Sequence, residues 1–157
     1  MKKSKKKVCM IASCGGHIME LIQLLPAVEG LDYYIITEKN AVSESLVGNR
    51  KHYYLLQQQR NGWKFAFVFA WNILLSLAYF IKERPTTIIT TGAGATYPTC
   101  KLASIFARKV IYIESFAKIS NSSVTGKMVY PFADEFYVQW PEMKKIYPKA
   151  KYVGTVY

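Results

Sequence analysis

The stretch IASCGGHIMEL, residues 11–21, sets two adjacent glycines and a histidine between a short apolar run and an amphipathic segment. A chain that leaves a strand and enters a helix through bare backbone turns sharply. The turn gathers unpaired N–H groups at the positive end of the helix dipole, and that point attracts anions. Few folds offer such a junction, and those that do build a sheet from strands joined by helical crossovers.

The rest of the chain repeats the alternation. Residues 8–12 read as a buried strand, and residues 17–28 as a helix with Ile18, Leu21, Ile22 and Leu25 on one face. Residues 33–37 form the next strand, residues 41–47 a short helix and residues 53–56 a third strand. A long helix is expected over residues 63–83, ended by Pro85, with a strand over residues 86–90. A second glycine turn, TGAGATYPTCKLASIFA, then enters another helix. Strands at residues 110–113, 135–138 and 151–153, and a helix starting near Pro141, complete the order. This pattern predicts an α/β fold, a Rossmann-like doubly wound and mainly parallel sheet with helices on both faces. At 157 residues it reads as one domain over residues 8–157, preceded by a basic flexible tail over residues 1–7.

In such a sheet ligands bind outside the carboxyl ends of the strands, where both glycine turns fall. Ser13, Gly15 and Gly16 in the first turn and Gly92 and Gly94 in the second are the candidate phosphate-binding positions. His17, at the start of the helix, and Glu114, directly after the strand VIYI, are the candidate acid–base residues. A carboxylate in that place is costly unless it is solvated, paired or used. A polar loop is expected over residues 115–125. A dinucleotide site is the competing reading, with Glu38 in the place of a ribose-binding acid, but SCGGH does not match G-x-G-x-x-G.

The formal net charge is +11, which favours an anionic partner such as nucleic acid, acidic lipid or a phosphorylated ligand. No nucleic-acid reader motif accompanies it, so nucleic acid is not expected. MKKSKKK leads into an apolar run too short for a secretory signal, which points to an intracellular protein. Cys9, Cys14 and Cys100 have no metal-ligand spacing and read as free thiols, and no metal is expected.

WKFAFVFAWNILLSLAYFI, residues 63–81, contains one formal charge, Lys64, and is long enough to cross a bilayer. Crossing would divide the sheet between two sides of a membrane. The segment is therefore expected to lie in the interface, with Trp63, Phe67, Trp71 and Leu75 toward lipid and Arg60, Lys64 and the lysine tail on anionic headgroups. Asn72, Ser76 and Tyr79 form a narrow polar stripe along it. A helix buried against a partner protein is the alternative.

SCGGH, the apolar helix, IITTGAGATYP, VIYIESFAK, TGKMVYPFADEFYVQW and YVGTVY, in this order, resemble the membrane-anchoring subunit of the bipartite UDP-N-acetylglucosamine transferase of the dolichol pathway. The resemblance covers nearly the whole chain from Lys7 and extends to bacterial relatives in capsule and exopolysaccharide synthesis. That family is similar to the amino-terminal half of GT-B glycosyltransferases, which faces the membrane and the lipid-linked acceptor. The eukaryotic subunit carries an amino-terminal membrane helix where this chain has MKKSKKK, so attachment is expected from the apolar helix.

The resemblance implies a non-autonomous subunit at the cytoplasmic face of the cell membrane. It would bind a polyprenyl-diphosphate-linked saccharide and complete the active site of a partner resembling a GT-B carboxyl-terminal half. The UDP-sugar donor is expected on that partner, and no cofactor on this chain. A self-sufficient Rossmann-type nucleotide-binding enzyme is the alternative.

Overall fold

The computed structural model describes residues 6–58 and 64–157; Trp63, Arg60 and Lys2, Lys3 and Lys5 of the basic tail lie outside the described residues. Seven strands form one sheet: β1 (Lys7–Ala12), β2 (Asp32–Glu38), β3 (His52–Leu55), β4 (Thr87–Gly92), β5 (Lys109–Ile113), β6 (Glu135–Val138) and β7 (Lys151–Tyr152). Their order is β3-β2-β1-β4-β5-β6-β7, and each neighbouring pair is parallel. The direction of winding reverses between β1 and β4, which opens a crevice at their carboxyl ends.

Both faces of the central strands are buried, and the two-residue period sorts their side chains. From β1, Cys9 and Ile11 enter one core and Val8, Met10 and Ala12 the other. Helices α1 (Gly16–Gln23) and α2 (Ala41–Val47) cover the second face through Ile18, Leu21 and Val47. The first face is covered by α3 (Lys64–Glu83), α4 (Tyr97–Ile105) and α5 (Val124–Val129), through Phe80, Cys100, Ala103 and Val129.

Three boundaries differ from the sequence reading. Lys7 is not tail but the first residue of β1, where its ammonium meets Glu83 at 2.9 Å. The helix expected over residues 17–28 stops at Gln23 and continues as a 3₁₀ turn over Leu25–Val28, because Pro26 cannot donate to the helical ladder. The polar loop expected over residues 115–125 already turns into α5 at Val124. Ser123 caps that helix by accepting from the Gly126 N–H at 2.8 Å.

Helix α3 is long and apolar enough to cross a membrane, yet its docking is polar. Asn72, Ser76 and Glu83 are buried against the domain, while Phe65, Phe67, Trp71, Leu74 and Ile81 are exposed. Asn72 pairs with the main chain of Leu56, and the Tyr79 hydroxyl donates to the Tyr54 carbonyl at 3.0 Å. These side chains supply the hydrogen bonds that the β3 edge lacks. Leu75 corrects the expected lipid-facing set, because it is half-buried and packs on the core; Leu74 takes the outward position.

Candidate functional site

The glycine turn after β1 is held by a carboxylate. Glu38, the last residue of β2, accepts hydrogen bonds from the Ser13 hydroxyl and the Cys14 N–H, the latter at 3.1 Å, and from the Gln58 N–H at 2.7 Å. Ser13 also gives its N–H to the Gly92 carbonyl at 2.8 Å. Both donors of Ser13 are thus committed to the loop, which corrects its expected role as an anion ligand. Gly15 and Gly16 are exposed and open α1, where Gly16, His17 and Ile18 carry the first-turn N–H groups that a helix cannot satisfy internally. No acidic residue occupies that turn.

His17 joins the first turn to the second. Its Nδ1 lies 2.8 Å from the Thr91 carbonyl, and the Thr91 hydroxyl donates to the His17 carbonyl at 2.7 Å. A carbonyl only accepts, so Nδ1 carries the proton and Nε2 of the neutral ring carries the lone pair. Gly92 has φ 93°, and a β-carbon there would stand 3.1 Å from the Tyr112 hydroxyl and 3.4 Å from the His17 ring. The Gly92 N–H donates to Thr90 Oγ1 at 3.1 Å, so Gly92 is a joint between the turns and not an open anion donor. Gly94, by contrast, lines the crevice.

Glu114 is 1% exposed and fully engaged. Its Oε2 accepts from the Ser123 N–H at 3.2 Å and from the Ser123 and Tyr147 hydroxyls, each at 3.0 Å, while Oε1 accepts from the Ser115 N–H at 3.0 Å. Gly126 packs against this carboxylate so closely that a β-carbon would overlap Oε2 and stand 2.7 Å from the Tyr147 hydroxyl. Burial first, then the neighbouring charge of Glu114, pushes the Tyr147 phenol well up. The carboxylate anchors the loop before α5, and neither Glu114 nor His17 is among the residues that line the crevice.

The crevice is a cavity of about 480 Å³ at the carboxyl edge. Ser13, Glu38, Gln58 and Gly94 line it, together with Phe65 and Phe69 of α3 and Val124 and Met128 of α5. Sequence reasoning treated Glu38 only as a possible ribose ligand. Its Oε2 already accepts two bonds, which leaves no bidentate carboxylate for a ribose. Gln58 escaped notice because nothing in the run Gln57–Gln58–Gln59 after a strand marks one glutamine for a role. Glu20 of α1, equally unremarked, is buried and accepts from the Ser115 hydroxyl, the Phe116 N–H and the Gln139 amide at 3.1, 3.0 and 3.2 Å. Burial pushes its carboxyl up. No group of three metal-ligating side chains occurs among the described residues.

Residues 8–156 match the family model described as "Oligosaccharide biosynthesis protein Alg14 like". The chain belongs to this family. Among Alg14 relatives, the "UDP-N-acetylglucosamine transferase subunit alg14" of Schizosaccharomyces pombe is 28% identical, over 99% of this chain and 88% of its own. The rat protein "UDP-N-acetylglucosamine transferase subunit ALG14" is 26% identical, over 94% of this chain and 81% of its own. A crystal structure of Acinetobacter baumannii MurG superposes with a TM-score of 0.76 at 16% identity, covering 96% of this chain and 45% of MurG. The UDP-GlcNAc 2-epimerase of Methanocaldococcus jannaschii superposes at 0.72 with 15% identity, over 95% of this chain and 45% of the epimerase. The chain thus spans less than half of these structures. It shares with them the Rossmann-like fold of an amino-terminal GT-B domain.

Proposed function

We propose that this chain is the acceptor-side, membrane-associated subunit of a two-component glycosyltransferase, and that a separate subunit holds the UDP-sugar. The observation that carries the reading is the position of α3. Its Phe65 and Phe69 line the crevice while Phe67, Trp71 and Leu74 of the same helix are exposed, so an amphiphile in the crevice keeps its apolar end at an apolar surface. The ligand class is a polyprenyl-diphosphate-linked saccharide. Both quoted Alg14 relatives are named as transferase subunits, which supports a heteromeric enzyme.

The chemistry follows from the two turns. First-turn N–H groups of α1 at Gly16, His17 and Ile18 hold the diphosphate. His17, fixed by Thr91, presents Nε2 as the base that takes the proton from the attacking sugar hydroxyl. Glu114 keeps α5 against the crevice. A partner surface is offered where no described helix covers β5 and β6. There Ile111 and Tyr137 border an apolar trough of about 420 Å³, closed on one side by Val153 and Val156. All-parallel sheets are ordinarily covered on both faces.

The family model is named for oligosaccharide biosynthesis and the quoted relatives for UDP-N-acetylglucosamine transfer, which supports a lipid-linked oligosaccharide as the product. A bacterial capsular or exopolysaccharide destination, and residence on the cytoplasmic face, are the narrower forms of the same proposal. Reconstitution tests it: the chain with its donor-binding subunit should glycosylate a prenyl-diphosphate sugar, and the chain alone should not. Robust turnover by the purified chain alone with UDP-sugar and acceptor would favour the self-sufficient enzyme and falsify the two-component reading.

A further inference from the structure

One corner of the crevice is left unused by diphosphate binding. Gln58, three residues beyond β3, lines the cavity with Glu38 and Gly94, and its N–H is pinned to Glu38 Oε1. Its side-chain nitrogen is closed off from solvent and has no hydrogen-bond partner among the described residues. An unpaired buried N–H costs free energy, and such groups persist where a water or ligand completes them. Glycine makes room for this side chain, since a β-carbon on Gly94 would stand 3.4 Å from Gln58 Oε1. A half-turn about the last torsion exchanges the positions of the amide nitrogen and oxygen.

The surroundings select among ligands. Glu38 Oε2 accepts two hydrogen bonds and Oε1 one, so Oε1 retains acceptor capacity. The carboxylate repels phosphate from this corner. The rings of Phe65 and Phe69, which line the same cavity, lie 8° from parallel with centroids 6.0 Å apart. A free amide donor, a carboxylate lone pair and flat apolar faces together match a hydroxylated ring. Each of its hydroxyls both donates and accepts, and its C–H face is apolar.

We infer that Gln58, backed by Glu38 and faced by Phe65 and Phe69, reads the sugar ring of the lipid-linked acceptor and sets the preference of the crevice for a glycosylated over a bare lipid diphosphate. This inference rests on the acceptor-binding function proposed above and goes beyond it in giving the headgroup its own recognition site, separate from the diphosphate.

The test measures binding of the full chain in detergent micelles to geranylgeranyl diphosphate and to the same lipid diphosphate carrying one hexose, offered in parallel as glucose, galactose and N-acetylglucosamine. The native chain should bind at least one glycosylated probe about tenfold more tightly than the bare diphosphate. Gln58→Met, which keeps length and removes the amide, should bring that ratio near one and leave affinity for the bare diphosphate unchanged. Phe69→Leu should reduce the ratio by about half or more. Circular dichroism and melting curves establish that both variants are folded. A native chain that binds every probe equally, or a Gln58→Met chain that keeps the full ratio, overturns this inference while leaving the diphosphate site standing. A native chain that binds none of the lipid diphosphates overturns the acceptor reading and this inference with it.

Discussion

The Asn72 side chain forms two hydrogen bonds with a single residue, accepting from the Leu56 N–H at 2.9 Å and donating to the Leu56 carbonyl at 2.9 Å. The most apolar helix of the protein is thus fastened to the sheet by an amide. Its outer face inverts that of an ordinary amphipathic helix: Phe67, Trp71 and Leu74 point outward, while Asn72, Ser76 and Glu83 share the inner face with Phe80.

That inversion separates anchoring from folding. Phe67→Ser with Trp71→Ser and Leu74→Ser should move the protein from the membrane to the soluble fraction with little change in urea midpoint. High salt should release the native chain only partly, because salt screens the lysines and not apolar insertion. Asn72→Leu, although more apolar, should cost about 1–3 kcal/mol, because it strands the main-chain groups of Leu56. Loss of the fold in the triple variant would show that the outer face is core.

The fold was legible because strands and helices alternate along the chain. The short apolar runs of β1 and β2 and the two glycine turns place the crevice from sequence alone, and Ala41–Val47 and Glu135–Val138 coincide with their sequence assignments. Pairing within the crevice was not legible. Glu38 and Glu114 both follow apolar strands, and nothing local says that one lines the cavity while the other closes on Ser123 and Tyr147. Those contacts join residues that are nine to 33 apart. Leu74 and Leu75 were likewise indistinguishable, because the docking of Asn72, Tyr79 and Glu83 on distant residues fixes the rotation of α3.

If Glu114 anchors α5, its loss is structural. Glu114→Gln keeps the shape but turns an NH₂ group toward donors, and should cost about 1–3 kcal/mol. Gly126→Ala, which touches no ionisable atom of its own, should reproduce the defect by overlapping Oε2, at about 1–3 kcal/mol for overpacking. Both should lower activity in the assembled enzyme with the shape of the pH–rate profile retained. A stable Glu114→Gln enzyme whose acidic limb alone disappears would restore Glu114 as the base.

Acid should unfold the protein through a different carboxylate. Burial pushes Glu83 up, but hydrogen bonds from Lys51, Tyr53 and Lys7 outweigh it and hold the group at about 2 against an ordinary 4.5. A carboxyl with a lower pKa folded than unfolded stabilises the fold above the unfolded value, and that contribution is lost as pH falls through the folded value. Glu135, held at about 2 by Lys109 and then Tyr137, acts in the same sense, whereas Glu20, pushed up by burial, acts in the opposite one. Melting temperature should therefore fall between about pH 5 and pH 2. Glu83→Gln should flatten that slope in part, leaving the share of Glu135. An unchanged slope would mean that Glu83 titrates alike in both states.

The remaining question is what His17 contributes once Nδ1 is committed to Thr91. A ring held by Thr91 at the start of α1, beside the glycine turn, has two uses, and they leave different kinetic marks. As the base, it acts only in the transition state, so His17→Ala should lower kcat by roughly 10²–10⁴ at saturating lipid acceptor, with KM little changed. As a diphosphate ligand it would bind ground and transition states alike, and the loss would appear in KM. His17→Gln distinguishes them further, because an amide still donates toward the Thr91 carbonyl but cannot carry the proton. With the two-subunit enzyme, a kcat loss shared by both variants identifies proton transfer. Recovery of kcat in His17→Gln would instead assign the residue to positioning the turn and return the search for the base to the donor-binding subunit.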